Sequence, residues 1–344
     1  MSILCAGLGA PHAGWAAIDE LARVMQRCFG AELLTPQTLS TSWIRKLSRR
    51  EKLRFTPVQT SGGDVLFIVA RGPEDLAIIN TITDVRRKFS QIHAFITDSY
   101  FCAGFVAETA LYDSITVTAH EDVAYPAQKF GIRVHQLYQG IDCLQWAPRG
   151  QFKREIDVMA FGRTPASFQV AMTHRFHTMR SPYLYLHSPL GHLAGPTVER
   201  ERAMLFKLLH RSRFSLAFHL MVEPQGNRPR SMMVTSRWLE SLLSGCIVVG
   251  CRPISRMADD MLNWADATVE LPASPRDAVD ALELLLADED AQLEQRRINT
   301  YNTMLQHDWR SRIATLCAIQ GWETTAILKG EQEDLAQQRD TWRN

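Results

Sequence analysis

The sequence lacks the features that would assign it to several specialised classes of protein. It has no excess of charge: 38 Lys and Arg face 37 Asp and Glu, and residues 1–150 carry 15 basic against 14 acidic side chains. A nucleic-acid-binding protein usually concentrates basic residues, so neither DNA nor RNA is an expected partner. No apolar run approaches the roughly 20 residues that span a bilayer. No basic segment precedes the apolar residues 1–10, so no signal peptide is expected. We therefore expect a cytoplasmic protein, at most peripheral at the inner membrane surface.

Cysteine pairs and metal-binding patterns are also missing. The seven cysteines are scattered, odd in number and never spaced as Cys-x-x-Cys, which predicts reduced thiols and no zinc site. The Asp288-Glu289-Asp290 triplet falls in a polar helical region and does not follow a strand, so we expect it to be solvated. The glycines after the first predicted strand do not complete a dinucleotide fingerprint, because position 12 is His12. A dehydrogenase is therefore disfavoured.

What the sequence does contain is an alternation of short apolar runs and amphipathic segments. Runs such as 64–69, 93–97 and 156–161 predict strands buried on both faces of parallel sheets, and 344 residues suffice for two domains. Residues 143–155 contain Pro148 and Gly150 and predict a linker. We expect one domain over residues 1–145, a second over 146–330, and a polar, frayed tail over 331–344.

The stretch from Thr235 to Arg252 predicts a helix that leads almost directly into a buried strand. Thr235 or Ser236 can cap the helix start. Free N–H groups there, two hydroxyls and the guanidinium of Arg237 form a suitable site for phosphate. Glu240, one turn later, could accept hydrogen bonds from sugar hydroxyls. The alternative is an ordinary capped helix on whose surface Arg237 and Glu240 form an ion pair.

The segment TSRWLESLLSGCIVVG resembles the signature of group 1 glycosyltransferases of the GT-B fold, especially the exostosin-like and spore-maturation-type branches. Three further segments resemble the same family: residues 139–142 at the end of the first domain, Gly162-Arg163 after the strand that opens the second, and residues 307–310 near the end. The resemblance implies a GT-B fold, in which two Rossmann-like α/β/α domains with parallel sheets face a central cleft.

The resemblance also implies roles for particular residues. Arg237 would contact the donor phosphates at the helix start formed by Thr235 and Ser236, and Glu240 would bind the ribose. Gly162 and Arg163 would lie against the donor phosphates.

On the other side of the cleft, the loop carrying His12 and Gly14 would lie near the transferred sugar, although a plain tight turn explains both residues nearly as well. Asp98, at a strand end, and Glu223 are candidates for the catalytic groups. Asp98 could equally cap a helix beginning near Tyr100.

The sequence departs from the family pattern at two points. Many group 1 enzymes carry a Glu eight residues before the ribose-binding Glu, and here that position is Met232. The Lys that usually follows the Gly-Arg pair is absent, with Arg175 and Arg230 as candidate replacements. The catalytic group is therefore not identified by the resemblance.

These observations favour a hexosyltransferase that uses a nucleotide-diphospho-sugar, UDP- or GDP-linked, with a glycan or lipid-linked acceptor and without a metal or bound cofactor. Two alternatives stay open: a nucleotide-sugar 2-epimerase of the same fold, and an inactive protein that binds nucleotide as a scaffold. Residues 42–55 carry six basic side chains against one acidic. They predict either contact with an anionic membrane or, as we favour, a solvated helix face.

Overall fold

The computed structural model describes residues 1–5, 16–37, 55–188, 197–219, 222 and 231–343. This part of the chain forms two parallel α/β units. The helices and strands of the first unit, in chain order, are β1 Ser2–Cys5, α1 Ala16–Phe29, β2 Glu32–Leu34, β3 Gly63–Ala70, α2 Val85–Lys88, β4 Phe89–Ile96, β5 Ser114–Val117, α3 Ala124–Phe130 and β6 Arg133–Gln136. Short 3₁₀ segments connect several of them, at Pro73–Thr81, Cys102–Gly104, Ala107–Leu111 and His120–Asp122.

The remaining elements build the second unit and the end of the chain. They are α4 Cys143–Trp146, β7 Ile156–Phe161, α5 Ala166–Phe176, β8 Tyr185–Ser188, α6 Val198–Leu209, β9 Ser212–Phe218, α7 Ser236–Leu243, β10 Ile247–Cys251, α8 Arg256–Met261, β11 Val269–Glu270, α9 Pro275–Ala287, α10 Glu289–Gln306, α11 Trp309–Gln320 and α12 Ala326–Asp340.

The first sheet has six parallel strands in the order β2-β1-β3-β4-β5-β6. Alternate residues of a strand point to opposite faces. In β3, Leu66 and Ile68 therefore pack in one core, and Phe67 and Val69 pack in another with α1 and α11. Burial on both faces explains why the strands of this sheet read as continuous apolar runs.

The second sheet has five parallel strands in the order β11-β10-β9-β7-β8. Phe214 and Leu216 of β9 pack with α5 and α9 on one face, while Met159 and Phe161 of β7 pack with α6 on the other. Two parallel sheets, each buried on both faces, confirm the predicted fold class of paired α/β units.

The chain passes between the two units twice, and the two passages lie side by side. Ile141 and Asp308 form a parallel bridge; the N–H of Ile141 donates to the His307 carbonyl over 2.9 Å, and the N–H of Trp309 donates to the Ile141 carbonyl over 3.1 Å. A Cβ added at Gly140 would lie 2.9 Å from the Trp309 ring, which explains a glycine there. The second passage returns α11 and α12 to the first unit.

The last segment is more ordered than its composition predicts. Residues 331–340, expected to be polar and frayed, belong to α12. Leu335 is buried in a core it shares with α7 and α10 residues, and Glu331 accepts from Arg27 over 2.6 Å and from Arg310 over 2.7 Å. Leu335 and Glu331 anchor this stretch, whose other residues are mostly polar. The average polarity of the stretch therefore does not predict whether it is ordered.

All seven cysteines are free, and six of them are buried, as their apolar surroundings predict. Within the described ranges, no helix is both long enough and apolar enough to cross a membrane.

Candidate functional site

The start of α7 lies where the two units meet. Thr235 occupies the N-cap position, but its hydroxyl makes no capping bond. Its Oγ1 is buried and has no hydrogen-bond partner in the part of the chain that the structure describes. Because an α-helix cannot pair its own first N–H groups, those of Ser236 and Arg237 are available to an anion. The expected side-chain cap is therefore absent at this helix start.

Arg237 packs against the turn that follows β7. Its Nη1 donates to the carbonyl of Arg163 over 2.6 Å, and its guanidinium lies 5.9 Å from the centroid of the Phe161 ring. Gly162 has φ +66°, and a Cβ there would come within 2.8 Å of Nη2 of Arg237. The structure thus brings Gly162, Arg163 and Arg237 together, as the sequence predicts.

The side chain of Arg237 is half-buried and has no carboxylate within ion-pair distance in the described ranges. Burial lowers its pKa to about 10, opposed by Glu240 and assisted by Arg163. Arg237 therefore remains a cation at neutral pH, and an incoming anion would find its charge largely uncompensated. The alternative of a surface ion pair between Arg237 and Glu240 is not what the structure contains.

Glu240 is buried beneath α7 and pairs with a residue that the sequence analysis missed. Its Oε1 accepts from Nη1 of Arg202 over 2.5 Å, and both side chains are at least 94% buried. Arg202 lies on α6, and its Nε donates to Oε1 of Glu20 on α1 of the first unit. Oε2 of Glu240 makes no hydrogen bond within the described part of the chain. One oxygen of Glu240 thus remains to accept from a ligand.

Asp98 follows β4 at the carboxyl edge of the first sheet. Burial raises the pKa of its carboxyl to about 7; Arg163, from the second unit, opposes the shift, Glu74 adds to it, and the Tyr100 hydroxyl donates to the carboxyl. No α-helix begins near Tyr100, because the chain there forms only the short 3₁₀ segment 102–104. The capping role is thereby excluded, and Asp98 lies within electrostatic range of the Gly162-Arg163 turn.

The residues before α7 dock directly on the first unit. Oγ of Ser231 donates to Oδ2 of Asp122 over 3.3 Å, and Nε2 of Gln139 donates to the Val234 carbonyl over 2.5 Å. Thr118, just beyond β5, contacts the sulfur of Met233 at 3.9 Å. The carboxyl edges of the two sheets therefore meet at the start of α7, which places Asp98, Arg163 and Arg237 on one interface.

The remaining predicted site residues are not among those that meet at this interface in the described part of the chain. His12, Gly14, Glu223, Arg230 and residues 42–54 fall outside the described residues, so their roles stay predictions. Arg175 is placed, and it pairs with Asp280 over 2.5 Å and with Glu283 over 2.7 Å. It thus joins α5 to α9, the pair of helices on the face of the second sheet opposite α6, and it cannot replace the missing lysine.

Two site residues, Arg202 and Glu20, escaped prediction because charged side chains usually face solvent. Arg202 shares helical spacing with Leu205, Phe206 and Leu209, all buried. Glu20 similarly lies among buried residues of α1. A charge at a position that the helical period assigns to the core is the signal that would have found both.

The described residues contain no group of three or more His, Cys, Asp or Glu side chains that could hold a metal ion. In that part of the chain, the groups available to balance an anion at the site are the helix start and the arginines.

The fold and the site together define a two-unit α/β protein with an uncapped helix start at the interface. Residues 186–318 match a family model described as "Glycosyl transferase-like"; this segment includes α6, α7 and β10. A search of curated proteins finds no significant match.

Three solved structures are similar in fold. An S. aureus TarM variant, in complex with Fondaparinux, alpha-GlcNAc-glycerol and UDP, is 11% identical at a TM-score of 0.49, over 74% of this chain and 54% of that one. A second TarM structure is 12% identical at 0.47, with the same coverage. The "Glycotransferase of kitacinnamycin" is 11% identical at 0.39, over 92% of this chain and 97% of that one. The chain thus spans about half the length of TarM. At such scores these likenesses do not establish a shared activity.

Proposed function

We propose that this protein is a GT-B glycosyltransferase that moves a hexosyl unit from a nucleotide-diphospho-sugar, UDP- or GDP-linked, to a hydroxyl of an acceptor. The donor diphosphate binds at the start of α7, and the acceptor approaches from the first unit. The proposal rests on the glycosyl transferase-like match of residues 186–318 together with the geometry of this helix start.

The observation that carries the proposal is the contact between Arg237 and the Gly162-Arg163 turn. The 2.6 Å hydrogen bond to the Arg163 carbonyl holds a guanidinium without a carboxylate partner beside the free N–H groups of a helix. Such a group binds a diphosphate through charge-assisted hydrogen bonds, and the helix dipole adds to the attraction. Glu240 offers its second oxygen to the ribose hydroxyls at the other end of the nucleotide.

In the proposed reaction, the acceptor oxygen forms a bond to the anomeric carbon while the bond from that carbon to the diphosphate oxygen breaks. The electron pair leaves with the diphosphate, whose added charge is stabilised by Arg237, Arg163 and the helix N–H groups. No metal and no bound cofactor take part in this scheme.

Asp98 is the proposed acceptor of the proton that the attacking hydroxyl loses. A general base works best when its pKa lies near the working pH, and burial raises the pKa of Asp98 to about 7. Because Asp98 is within electrostatic range of Arg163, its negative charge is held beside the turn that would contact the donor. The role is proposed for the ionised form.

The acceptor is proposed to be a glycan or a lipid-linked glycan. Residues 42–55 would bring the protein to the surface of an anionic membrane if the acceptor is lipid-linked, and the protein would then be peripheral at the inner, cytoplasmic face.

The first experiment is a thermal-shift titration with UDP, GDP, dTDP and CDP and their hexose conjugates. A ligand that prefers the native state raises the melting temperature, so one diphosphate should shift it while the corresponding nucleoside does not. Glu240→Ala should abolish the shift, and Asp157→Ala, remote from the site, should leave it in place. No shift with any nucleotide would overturn the proposal.

The binding nucleotide then identifies the donor for a turnover assay. Release of the diphosphate that depends on an added glycan or lipid-linked acceptor is the expected result. Conversion of the donor sugar without any acceptor would indicate a 2-epimerase, and binding without either reaction would indicate a scaffold.

A further inference from the structure

The proposed function assigns a role to Glu240 but leaves unexplained the buried ion-pair chain Glu20–Arg202–Glu240 to which this residue belongs. Arg202 contacts a carboxylate of each unit: Nε lies 2.5 Å from Oε1 of Glu20, and Nη1 lies 2.5 Å from Oε1 of Glu240. All three side chains are at least 94% buried. An isolated buried pair contributes little net stability compared with apolar residues of the same volume. A reason other than stability is therefore needed for this arrangement.

The guanidinium of Arg202 lies against two aromatic rings, while its Nη2 is buried and makes no hydrogen bond in the described part of the chain. Its central carbon lies 5.1 Å from the centroid of the Phe206 ring and 5.6 Å from that of Trp146, and these two rings are stacked at 4.5 Å and 5°. Arginine stacks well on aromatic faces while its edge makes hydrogen bonds. The rings fix the plane of the guanidinium and thereby fix where Nη1 meets Glu240.

Glu20 holds the other end equally firmly. Its Oε1 accepts from Nε1 of Trp146 over 2.6 Å as well as from Arg202, and its Oε2 accepts from the N–H of Asp142 over 3.2 Å. Asp142 and Trp146 belong to the first passage between the units. Glu20 therefore anchors Arg202 to the first unit and to the crossover at once.

Arg202 touches only one of the two oxygens of Glu240. A carboxylate fixed at Oε1 cannot turn freely, so Oε2 keeps a constant direction. A ribose offers two adjacent hydroxyls, and an oxygen with two lone pairs can accept from both. Pre-ordering of this kind avoids the entropy cost of orienting a side chain on binding.

We propose that Arg202 is a positioning residue for the donor ribose. It orients Glu240 through Oε1, and its contact with Glu20 makes this orientation depend on a residue of the first unit. This inference rests on the proposed function, since it requires that Glu240 bind the ribose. Arg202 itself need not touch the ligand. The consequence is that a residue of the first unit, Glu20, affects how the second unit discriminates ribose.

The test compares the affinities of UDP and GDP with those of their 2′-deoxy counterparts by calorimetry, in the wild type and three variants. For the nucleotide that binds, the wild type should prefer the ribose form about tenfold, since a hydrogen bond to a charged group is worth about 1.5–3 kcal/mol. Glu240→Gln should reduce the ratio towards one. Arg202→Met should do the same, while Arg202→Lys should restore part of the ratio, because one charged donor remains.

The matched control is Arg213→Lys, which alters another buried arginine of the second unit. Arg213 donates to Asp157 over 2.7 Å and to the Leu286 carbonyl; it lies near the start of β9, at the opposite edge of the sheet from the carboxyl edge where α7 begins. Its replacement should lower the melting temperature without changing the ratio. Measuring each ratio on folded protein, verified by circular dichroism, separates positioning from general loss of structure.

Glu20→Gln supplies a readout that a merely structural role would not move. The groups that face Glu20 are Arg202 on α6 and Asp142 before α4, with Glu240 beyond Arg202. Burial raises the pKa of Glu20 to about 7, opposed by Arg202 and assisted by Asp142. Nucleotide affinity in the wild type should therefore change between pH 6 and 8, and Glu20→Gln should flatten that change.

The outcomes distinguish the two proposals. If Glu240→Gln leaves the ribose ratio unchanged, or no nucleotide binds the wild type, the proposed function fails and this inference fails with it. If Glu240→Gln abolishes the preference for the ribose form but Arg202→Met retains it, the donor site is supported and the positioning role of Arg202 is overturned.

Discussion

Arg237 occupies the space in which a side chain on Gly162 would stand. A Cβ built on Gly162 would lie 2.8 Å from Nη2 and 3.3 Å from Nε of Arg237, and the same guanidinium donates to the neighbouring Arg163 carbonyl. The start of α7 and the turn after β7 thus pack closely, because Gly162 has no side chain and leaves room for the long side chain of Arg237.

Gly162→Ala should therefore disturb the site and also strain the backbone. The residue has φ +66°, a conformation that costs an L-residue about 1–2 kcal/mol, and the added methyl group would push Arg237 away from the turn. We expect a lower melting temperature together with a clear loss of nucleotide affinity, measured by thermal denaturation and calorimetry.

Gly131→Ala is the matched control for this variant. Gly131 has φ +65°, and a Cβ there meets nothing within 4 Å. Gly131→Ala should lower the melting temperature, because of the backbone strain, and should leave nucleotide affinity unchanged. Equal affinities in the two alanine variants would mean that the Arg237 contact plays no part in binding.

Arg237→Met tests the cation at the helix start directly. The charge of Arg237 is half-buried without a carboxylate partner, and burial lowers its pKa to about 10, so the folded protein disfavours the cation. Removing the charge should leave the melting temperature of the ligand-free protein unchanged or higher. The affinity for a nucleoside diphosphate should fall about tenfold or more, because charge-assisted hydrogen bonds are lost, while the affinity for the nucleoside stays the same.

The informative comparison is Arg213→Met, because Arg213 has a partly buried carboxylate partner in Asp157. That variant should be less stable and should bind nucleotide normally. An Arg237→Met protein that melts at a lower temperature and binds UDP or GDP as the wild type does would rule out the donor site at α7.

Periodicity in the sequence was enough to predict the two sheets and the main helices. The strand of residues 156–161 is found with the predicted bounds, and the predicted run 64–69 lies within the strand Gly63–Ala70, since runs buried on both faces leave a clear signal. The resemblance assigned Gly162, Arg163 and Arg237 to the donor phosphates, and the structure brings these residues together, but the direct contact of Arg237 with the Arg163 carbonyl was not predicted.

The partners of the site charges were not predictable in the same way. Which carboxylate meets Arg202 depends on how the two units are placed, because Glu20 lies 182 residues away from Arg202 in the sequence, and no local pattern encodes that contact. The order in residues 331–340 escaped for the same reason, since Glu331 finds Arg27 and Arg310 only after the chain has crossed back.

Arg310→Ala should be among the most destabilising substitutions in the protein. Arg310 is 99% buried at the second passage between the units; its Nη1 lies 2.9 Å from Asp142 and 3.0 Å from Asp308, and its Nε lies 2.7 Å from Glu331. Its removal leaves the buried Asp308 without an ion-pair partner in the described residues and leaves Asp142 with only the 3.7 Å contact to Arg27, and breaking a buried ion pair typically costs about 3–5 kcal/mol. Chemical denaturation should report a loss of that size in the free energy of unfolding.

Arg339→Ala provides the comparison, because Arg339 lies on α12 and, among the described residues, forms an ion pair with the exposed Asp340 across 3.0 Å. Exposed pairs of this kind contribute about 0–1 kcal/mol. Similar free energies of unfolding for the two variants would show that the buried network at the crossover does not hold the units together.

Asp98→Asn should separate stability from activity by means of pH. Burial raises the pKa of Asp98 to about 7, above the roughly 3.9 of an unfolded chain, so its contribution to stability is full below about pH 4 and is lost as pH rises through 7. Asparagine cannot ionise, so the variant should melt at a higher temperature than the wild type at pH 8 and at a similar temperature at pH 4. Turnover should fall by about 10²–10⁴-fold if Asp98 is the general base, and the rise of kcat/KM through pH 7 should disappear.

Asp113→Asn has the opposite sign and serves as the control. Although burial acts to raise the pKa of Asp113, hydrogen bonds from Arg86 and from the N–H of Ile92 lower it overall. Its contribution is therefore present at pH 8 and is lost as pH falls, so the asparagine variant should be less stable than the wild type at pH 8 and should keep its activity. If Asp98→Asn keeps the turnover rate and the rise of kcat/KM through pH 7, Asp98 does not accept the proton of the acceptor hydroxyl. The general base would then be a residue outside the group formed by Asp98, Tyr100 and Arg163.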